Sequence, residues 1–160
     1  MAELDELDAA ILAVLQADAR TTNREVAASV GIAPTTALER TRSLRERGVI
    51  TGATLDVDLA SIGRSVQALV AVRIRPPSRK VIEAFRDWVT ALPETLGAFV
   101  TTGDQDFILH VAVPDNDALY AFVIDKLTSR AEIADVRTSV VYEHLRRKAV
   151  APVGARKRRP

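Results

Sequence analysis

The chain of 160 residues contains no cysteine, which excludes disulfide bonds and thiolate metal ligands. Its two histidines, His110 and His144, have no acidic residue or cysteine at metal-binding spacing, so both are interpreted as structural. No GxxxxGK or GxGxxG motif follows a strand-like segment, so nothing indicates a nucleotide phosphate loop. The sequence therefore predicts no metal site, no cofactor and no catalytic residue, and we expect a protein that is not an enzyme.

Long hydrophobic runs are also missing. No apolar segment approaches the roughly 20 residues that a membrane-spanning helix requires. The N-terminus is acidic and lacks the apolar core of a signal peptide, so we expect no membrane partner and a cytoplasmic location. With 48% hydrophobic and 27% charged residues, the chain has the composition of a folded protein with one medium domain or two small ones.

The segment 22–48 has the pattern of two helices separated by a short turn. Thr22 and Glu25 have capping-box spacing, which marks the start of the first helix. The turn 31–33 contains a glycine, and Pro34 suits the first position of the second helix, which Gly48 ends. A short helix, a tight turn and a basic second helix indicate a helix-turn-helix that reads DNA.

The second helix has an apolar side and a polar side. At about 100° per residue, Ala37, Thr41 and Leu44 share the side expected to pack inward. Arginine and hydroxyl side chains on the other side have the chemistry for base edges and phosphates. The candidate DNA-binding residues are Thr35, Thr36, Glu39, Arg40, Arg42, Ser43 and, for the DNA backbone, Arg47. The alternative is a solvated face, because surface helices are often rich in arginine.

The distribution of charge complicates this interpretation. Residues 1–60 contain six basic and ten acidic side chains, a net charge of −4, whereas DNA-binding domains are usually basic. Residues 145–160 contain seven basic side chains and no acidic one. We therefore expect a local basic surface, modest affinity per subunit and cooperation between several subunits on double-stranded DNA.

The second half predicts an α+β unit. Alternating segments at 66–75, 96–101, 107–113 and 136–144 indicate strands, and helical spacing appears after the first and third of them. The order βαββαβ is that of a ferredoxin-like fold. Both sides of the strands are substantially apolar, so we expect a second sheet from a partner subunit to cover the side without helices.

These elements divide the chain into four predicted parts. A winged-type helix-turn-helix domain occupies 1–52, with a first helix near 7–17 capped by Asp5. A linker strand and hinge occupy 53–65, a ferredoxin-like domain occupies 66–145, and a basic, disordered tail occupies 146–160.

Taken together, the chain resembles the Lrp/AsnC family of transcription regulators. The resemblance rests on LDELDAAIL at 4–12, GIAPTTALERTRSLRERGVITG at 31–52, TTGDQDFILHVAV at 101–113 and ADVRTSVVYE at 134–143. It implies an N-terminal half that binds DNA and a C-terminal half that binds a small amino acid. It also implies a homodimer formed sheet to sheet that assembles further, often to an octamer, a tetramer of dimers. One departure is Ala33, where the family often has a serine that caps the DNA-reading helix; losing that hydroxyl costs about 1 kcal/mol.

The loop after the second strand is the candidate effector site. Asp104 and Asp106 can accept hydrogen bonds from the ammonium group of an amino acid, and backbone N–H groups near Gly103 can donate to its carboxylate. The resemblance places this loop between dimers and adds polar groups from the last strand. The candidate effector-binding residues are Thr101, Gly103, Asp104, Gln105, Asp106, Thr138 and Ser139. The alternative is that the two aspartates only cap a hairpin.

Two other functions remain open at this point. An architectural DNA-binding protein would share every feature above except the response to an effector. Tetrapyrrole decarboxylases also resemble the family, but that activity calls for histidines and arginines around a large cavity and a degenerate DNA-reading helix. The sequence does not name the effector or the operator, and it does not decide between activator and repressor.

Overall fold

The computed structural model of the protein describes residues 4–154. Two compact units divide the chain. The first unit includes the described residues 4–55 and 145–154, and the second comprises 56–144. The sequence predicts residues 145–154 as the end of the effector domain and a separate tail, whereas in the structure they pack with the N-terminal unit; 155–160 lie outside the described residues.

Three helices build the first unit, and their ends follow local sequence signals. They are α1 (Glu6–Ala17), α2 (Asn23–Val30) and α3 (Pro34–Glu46). Asp5 caps α1 by accepting the backbone N–H of Asp8 at 2.8 Å. Thr22 and Glu25 form the predicted capping box at α2. Gly31 ends α2 with φ of 71°, a conformation that side chains other than glycine rarely adopt.

The second unit is a four-stranded antiparallel sheet with helices. After a single 3₁₀ turn (Ala60–Ile62), the elements are β1 (Val66–Ile74), α4 (Arg79–Thr90), β2 (Thr95–Val100), β3 (Phe107–Val113), α5 (Asn116–Ala121), continued by a wider π-helical segment (Phe122–Leu127), and β4 (Ile133–Val141). The strand order is β2-β3-β1-β4. This arrangement confirms the predicted α+β fold with its βαββαβ order, although β4 begins and ends three residues earlier than predicted.

The sheet has one buried face and one that is partly open. Alternate residues of the central strands β1 and β3 are fully buried in a core that includes Phe85 and Phe122. The opposite face carries Leu69 and Phe99, whose residues are 40% and 63% exposed. From the sequence, this is the face that we expect a second sheet to cover, and that cover stays a prediction.

The linker differs from its prediction. Residues 52–58 alternate in sequence but form no strand within the described chain. Leu55 and Val57 in this segment are exposed. A strand needs a hydrogen-bonded neighbour, and the described residues supply none for this segment.

In the part of the chain described, no helix is long and apolar enough to cross a membrane.

Candidate DNA-reading helix and effector loop

The outer side of α3 carries most of the predicted DNA-binding residues. Thr35, Glu39 and Arg42 are exposed, whereas Thr36 and Ser43 are partly buried. The Arg42 guanidinium contacts the Glu46 carboxylate at 2.7 Å, one turn further along the helix. Both side chains of this pair are well exposed, so the pair is weak and the guanidinium can exchange its partner for DNA.

Arg40 and Arg47 lie elsewhere, against the start of α1. Arg40 donates to the carboxylates of Asp5 at 2.6 Å and Asp8 at 3.0 Å, and Arg47 reaches the other Asp8 oxygen at 3.4 Å. The Asp8 side chain is only 3% exposed. A buried carboxylate with two guanidinium partners ties the DNA-reading helix to α1. In the structure, Arg40 and Arg47 therefore hold α3 against α1, and the role of both residues in DNA contact stays a prediction.

The electrostatics of this cluster agree with its geometry. Burial raises the pKa of Asp5, but the backbone N–H of Asp8 and the Arg40 guanidinium outweigh it and hold that pKa below its ordinary value. Hydrogen bonds to Asp5 and Asp8 raise the pKa of Arg40. Asp5 and Arg40 therefore each stabilise the charged form of the other.

A signal for this role was present in the sequence. At about 100° per residue, Arg40 lies only about 60° from Ala37, at the margin of the buried side and far from Arg42. An arginine at such a margin can reach across to a neighbouring helix. The acids at Asp5 and Asp8 were its available partners.

At the start of α3, Ala33 occupies the cap position. It makes no side-chain hydrogen bond there, because its methyl group has no acceptor.

The candidate effector loop joins β2 to β3 and has a defined internal structure. The hydroxyl of Thr101 donates to the Gln105 carbonyl at 2.6 Å, and its N–H donates to the Asp106 carbonyl at 2.9 Å. Gly103 has φ of 109°, which favours glycine at this point of the turn. The Asp106 carboxylate accepts the N–H of Ile74 at 2.6 Å and so fixes the loop to the end of β1.

The two aspartates of the loop therefore differ. Asp106 is partly buried and engaged with the backbone, which makes it a structural support for the loop. Asp104 is exposed at the tip. Gln105 contributes a third feature: its side-chain oxygen is buried and has no hydrogen-bond partner among the described residues. A buried acceptor without a donor costs about 1–3 kcal/mol, so a donor supplied by a ligand would be favoured there.

Thr138 and Ser139 are not brought to the loop within one chain. They pair with Val70 and Leu69 of β1, on the far side of β1 from β3. Two strand spacings, about 10 Å, therefore separate β4 from β3, where the loop ends. Adjacent residues of a strand also point to opposite faces, so Thr138 and Ser139 face different sides of the sheet.

The two histidines lie together in the second unit. The His110 ring is 5.4 Å from the His144 ring and pairs with the Gln67 side chain at 3.0 Å. Burial and the neighbouring His144 lower the pKa of His110. Within residues 4–154, no group of three potential ligands from histidine, cysteine, aspartate and glutamate is placed to hold a metal ion.

A helix-turn-helix joined to an α+β unit with a structured, partly exposed loop defines a class of DNA-binding regulators that carry a ligand-binding domain. Comparison with known families agrees for both halves. Residues 4–51 match the winged helix-turn-helix DNA-binding family, and residues 67–150 match the Lrp/AsnC ligand binding domain. The chain belongs to the Lrp/AsnC family and is a DNA-binding transcriptional regulator of that type.

Individual relatives cover nearly the whole chain. The transcriptional regulator AldR of Mycobacterium tuberculosis is 39% identical over 152 residues, which are 95% of this chain and 84% of the relative. The leucine-responsive regulatory protein of Escherichia coli K12 is 33% identical over 144 residues, 90% of this chain and 88% of the relative. Both relatives are regulatory proteins.

Solved structures show the same fold. A transcriptional regulator from Neisseria meningitidis, solved as a complex with L-Met, superposes with a TM-score of 0.86 at 30% identity and covers 94% of this chain and 97% of its own. AsnC of E. coli superposes with a TM-score of 0.81 at 29% identity and covers 93% of this chain and 99% of its own.

Proposed function

We propose that this regulator responds to a small amino acid bound at the loop 101–106. The observation that carries the proposal is the buried side-chain oxygen of Gln105, which lacks a donor among the described residues. An amino acid brings an ammonium group with three donors, and the exposed carboxylate of Asp104 lies on the neighbouring residue. The structure of a related regulator in complex with L-Met supports the chemical class of the ligand.

Each residue of the loop then has a distinct role. Asp104 and Gln105 accept hydrogen bonds from the ammonium group, and backbone N–H groups around Gly103 donate to the carboxylate. Thr101 and Asp106 keep the loop in shape through their contacts with Gln105 and Ile74. A preformed loop loses little entropy when the ligand binds, so a few polar contacts suffice for recognition.

The site is completed by assembly. Thr138 or Ser139 of a second subunit supplies further polar contacts at an interface between dimers. The open sheet face around Leu69 forms the homodimer, and dimers associate as a tetramer of dimers. Because the ligand would touch two dimers at once, its binding would change dimer–dimer contacts and thereby the affinity for DNA.

DNA recognition is assigned to the exposed side of α3. Arg42 reads base edges, and hydroxyl and carboxylate groups beside it complete the contacts with the major groove. Arg40 and Arg47 contribute by holding the helix against α1. The residues proposed to touch DNA are Thr35, Thr36, Glu39, Arg42 and Ser43.

Calorimetry of the full-length protein against each of the twenty amino acids tests the effector, run beside light scattering and a gel shift on its upstream DNA. We expect heat from one or a few amino acids, which also change the oligomer size and the shift. Asp104→Ala should abolish the heat and leave basal DNA binding in place. Asp125→Ala removes an equally exposed carboxylate from the helical segment after α5 and serves as the matched control.

The outcomes separate the candidate functions. A DNA shift that no amino acid alters, with no heat from any of the twenty, would favour an architectural DNA-binding protein. Heat that persists in Asp104→Ala at its original size would remove that residue from the site. Failure to shift any DNA would contradict the regulator function itself.

A further inference from the structure

The chain after β4 returns to the DNA-binding unit and is held there at a specific point. The side chain of Gln16 in α1 donates to the carbonyl of Val150 at 3.0 Å and accepts the N–H of Val150 at 3.0 Å. This pair of hydrogen bonds satisfies both backbone groups of one residue, as a strand neighbour would. The segment 145–154 is therefore anchored on α1.

The anchored segment lines an open cavity of about 730 Å³ together with α1, the end of α3 and residues 49–54. Three cations contribute to its wall: Arg45 of α3, Arg146 and Lys148. Among the described residues, no acidic side chain lines this cavity. Arg45, Arg146, Arg147 and Lys148 are all exposed at the surface, so positive charge accumulates beside the last turn of the DNA-reading helix.

The segment also changes the charge of the DNA-binding unit. Residues 4–55 contain six basic and seven acidic side chains, a net charge of −1. Residues 145–154 add three basic side chains and no acidic one. The described part of the unit therefore has nine basic and seven acidic side chains, a net charge of +2. A unit whose N-terminal sequence is acidic overall thus becomes basic on one side.

We infer that Arg146, Arg147 and Lys148, anchored through Val150 to Gln16, form with Arg45 a second DNA surface that contacts backbone phosphates outside the groove read by α3. This inference deepens the DNA-binding function, since it assigns the sequence-independent part of the affinity to the C-terminal segment. DNA phosphates are the matching partner because the surface offers several neighbouring cations. These cations can donate hydrogen bonds to phosphate oxygens regardless of the DNA sequence. Anchoring matters because a segment fixed beside α3 loses less entropy on binding than a free tail.

The salt dependence of DNA binding tests the inference on the full-length protein. The variant Arg146→Gln, Arg147→Gln, Lys148→Gln should weaken binding to upstream DNA and to a random duplex by a similar factor. In a plot of the logarithm of the binding constant against the logarithm of the salt concentration, the negative slope should become shallower by about one for each phosphate that the variant no longer neutralises. The control variant Arg79→Gln, Lys80→Gln, Arg86→Gln removes the same charge from exposed positions of α4 and should leave the slope close to that of the parent protein.

A second variant separates position from charge. Gln16→Ala keeps every cation but removes both hydrogen bonds to Val150, so it should weaken binding to random DNA by a smaller factor and in the same direction. A triple variant with an unchanged salt slope, or a slope equal to that of the α4 control, would overturn the inference. Absence of the upstream DNA shift in the parent protein would instead contradict the DNA-binding function, so the two failures are distinguishable.

Discussion

At the scale of single residues, two arginines of the same helix have different tasks. Arg40→Ala should destabilise the first unit by about 1–3 kcal/mol, because the nearly buried Asp8 carboxylate loses a charged donor. Arg42→Ala should change stability by less than about 0.5 kcal/mol, because its ion pair with Glu46 is exposed. Urea unfolding followed by circular dichroism measures both changes, and a gel shift should show that Arg42→Ala weakens operator binding.

The pH dependence of unfolding provides an internal check. The pKa of Asp5 is lowered in the folded protein, so its contribution to stability is complete above the ordinary value of 3.8 and is lost as the pH falls through the lowered value. In Arg40→Ala, Asp5 contributes less to stability even near neutral pH, because the guanidinium that helps to lower its pKa is removed. The stability gap between the parent protein and Arg40→Ala should therefore narrow in acid, and a gap that is constant through this range would contradict the proposed cluster.

At the scale of elements, the start of α3 lacks a capping side chain. Ala33 has extended backbone angles, φ of −69° and ψ of 145°, and provides no side-chain acceptor for the first free N–H groups of the helix. Ala33→Ser should stabilise the unit by about 1 kcal/mol in urea unfolding, because its hydroxyl can accept one of them. Ala28→Ser, at an exposed position inside α2, should have a small effect of opposite sign.

Elements with strong local signals were predictable from the sequence. The caps at Asp5 and Thr22 and the glycine at Gly31 fix the helix starts and the turn because the groups they satisfy lie within a few residues. The strand β1 was predicted from its alternating residues and β3 from its apolar run. The order of elements then left the ferredoxin-like sheet as the simplest solution.

Features that depend on distant pairs were not predictable in this way. The partner of Arg40 lies 35 residues away in the sequence, and that of Gln16 lies 134 residues away. Helical spacing shows which side of a helix a residue occupies but not which neighbour it meets. The linker strand predicted within 53–65 does not form in the described chain for a related reason, because alternation alone does not supply the neighbouring strand that a β-ladder requires.

At the scale of the whole molecule, the open face of the sheet is the surface through which we propose that two subunits associate. Leu69 lies on the central strand β1 and pairs with His110 and Ser139 on the strands at either side. It nevertheless remains 40% exposed, and Phe99 on the same face is more exposed still. An apolar centre of this kind is stabilised when a second sheet covers it, at about 25 cal/mol per Å² of apolar surface buried.

Leu69→Glu should therefore dissociate the proposed homodimer, because a charge placed at the centre of the covered face would lose its water without gaining a partner. Sedimentation velocity over a range of protein concentrations measures the effect. Tyr120→Glu, on exposed α5, introduces the same charge away from this face and should leave the dimer intact. The proposed effector site is shared between dimers and cannot form without them. Leu69→Glu should therefore also abolish the heat of amino-acid binding. A stable Leu69→Glu dimer would mean that the subunits associate through a different surface.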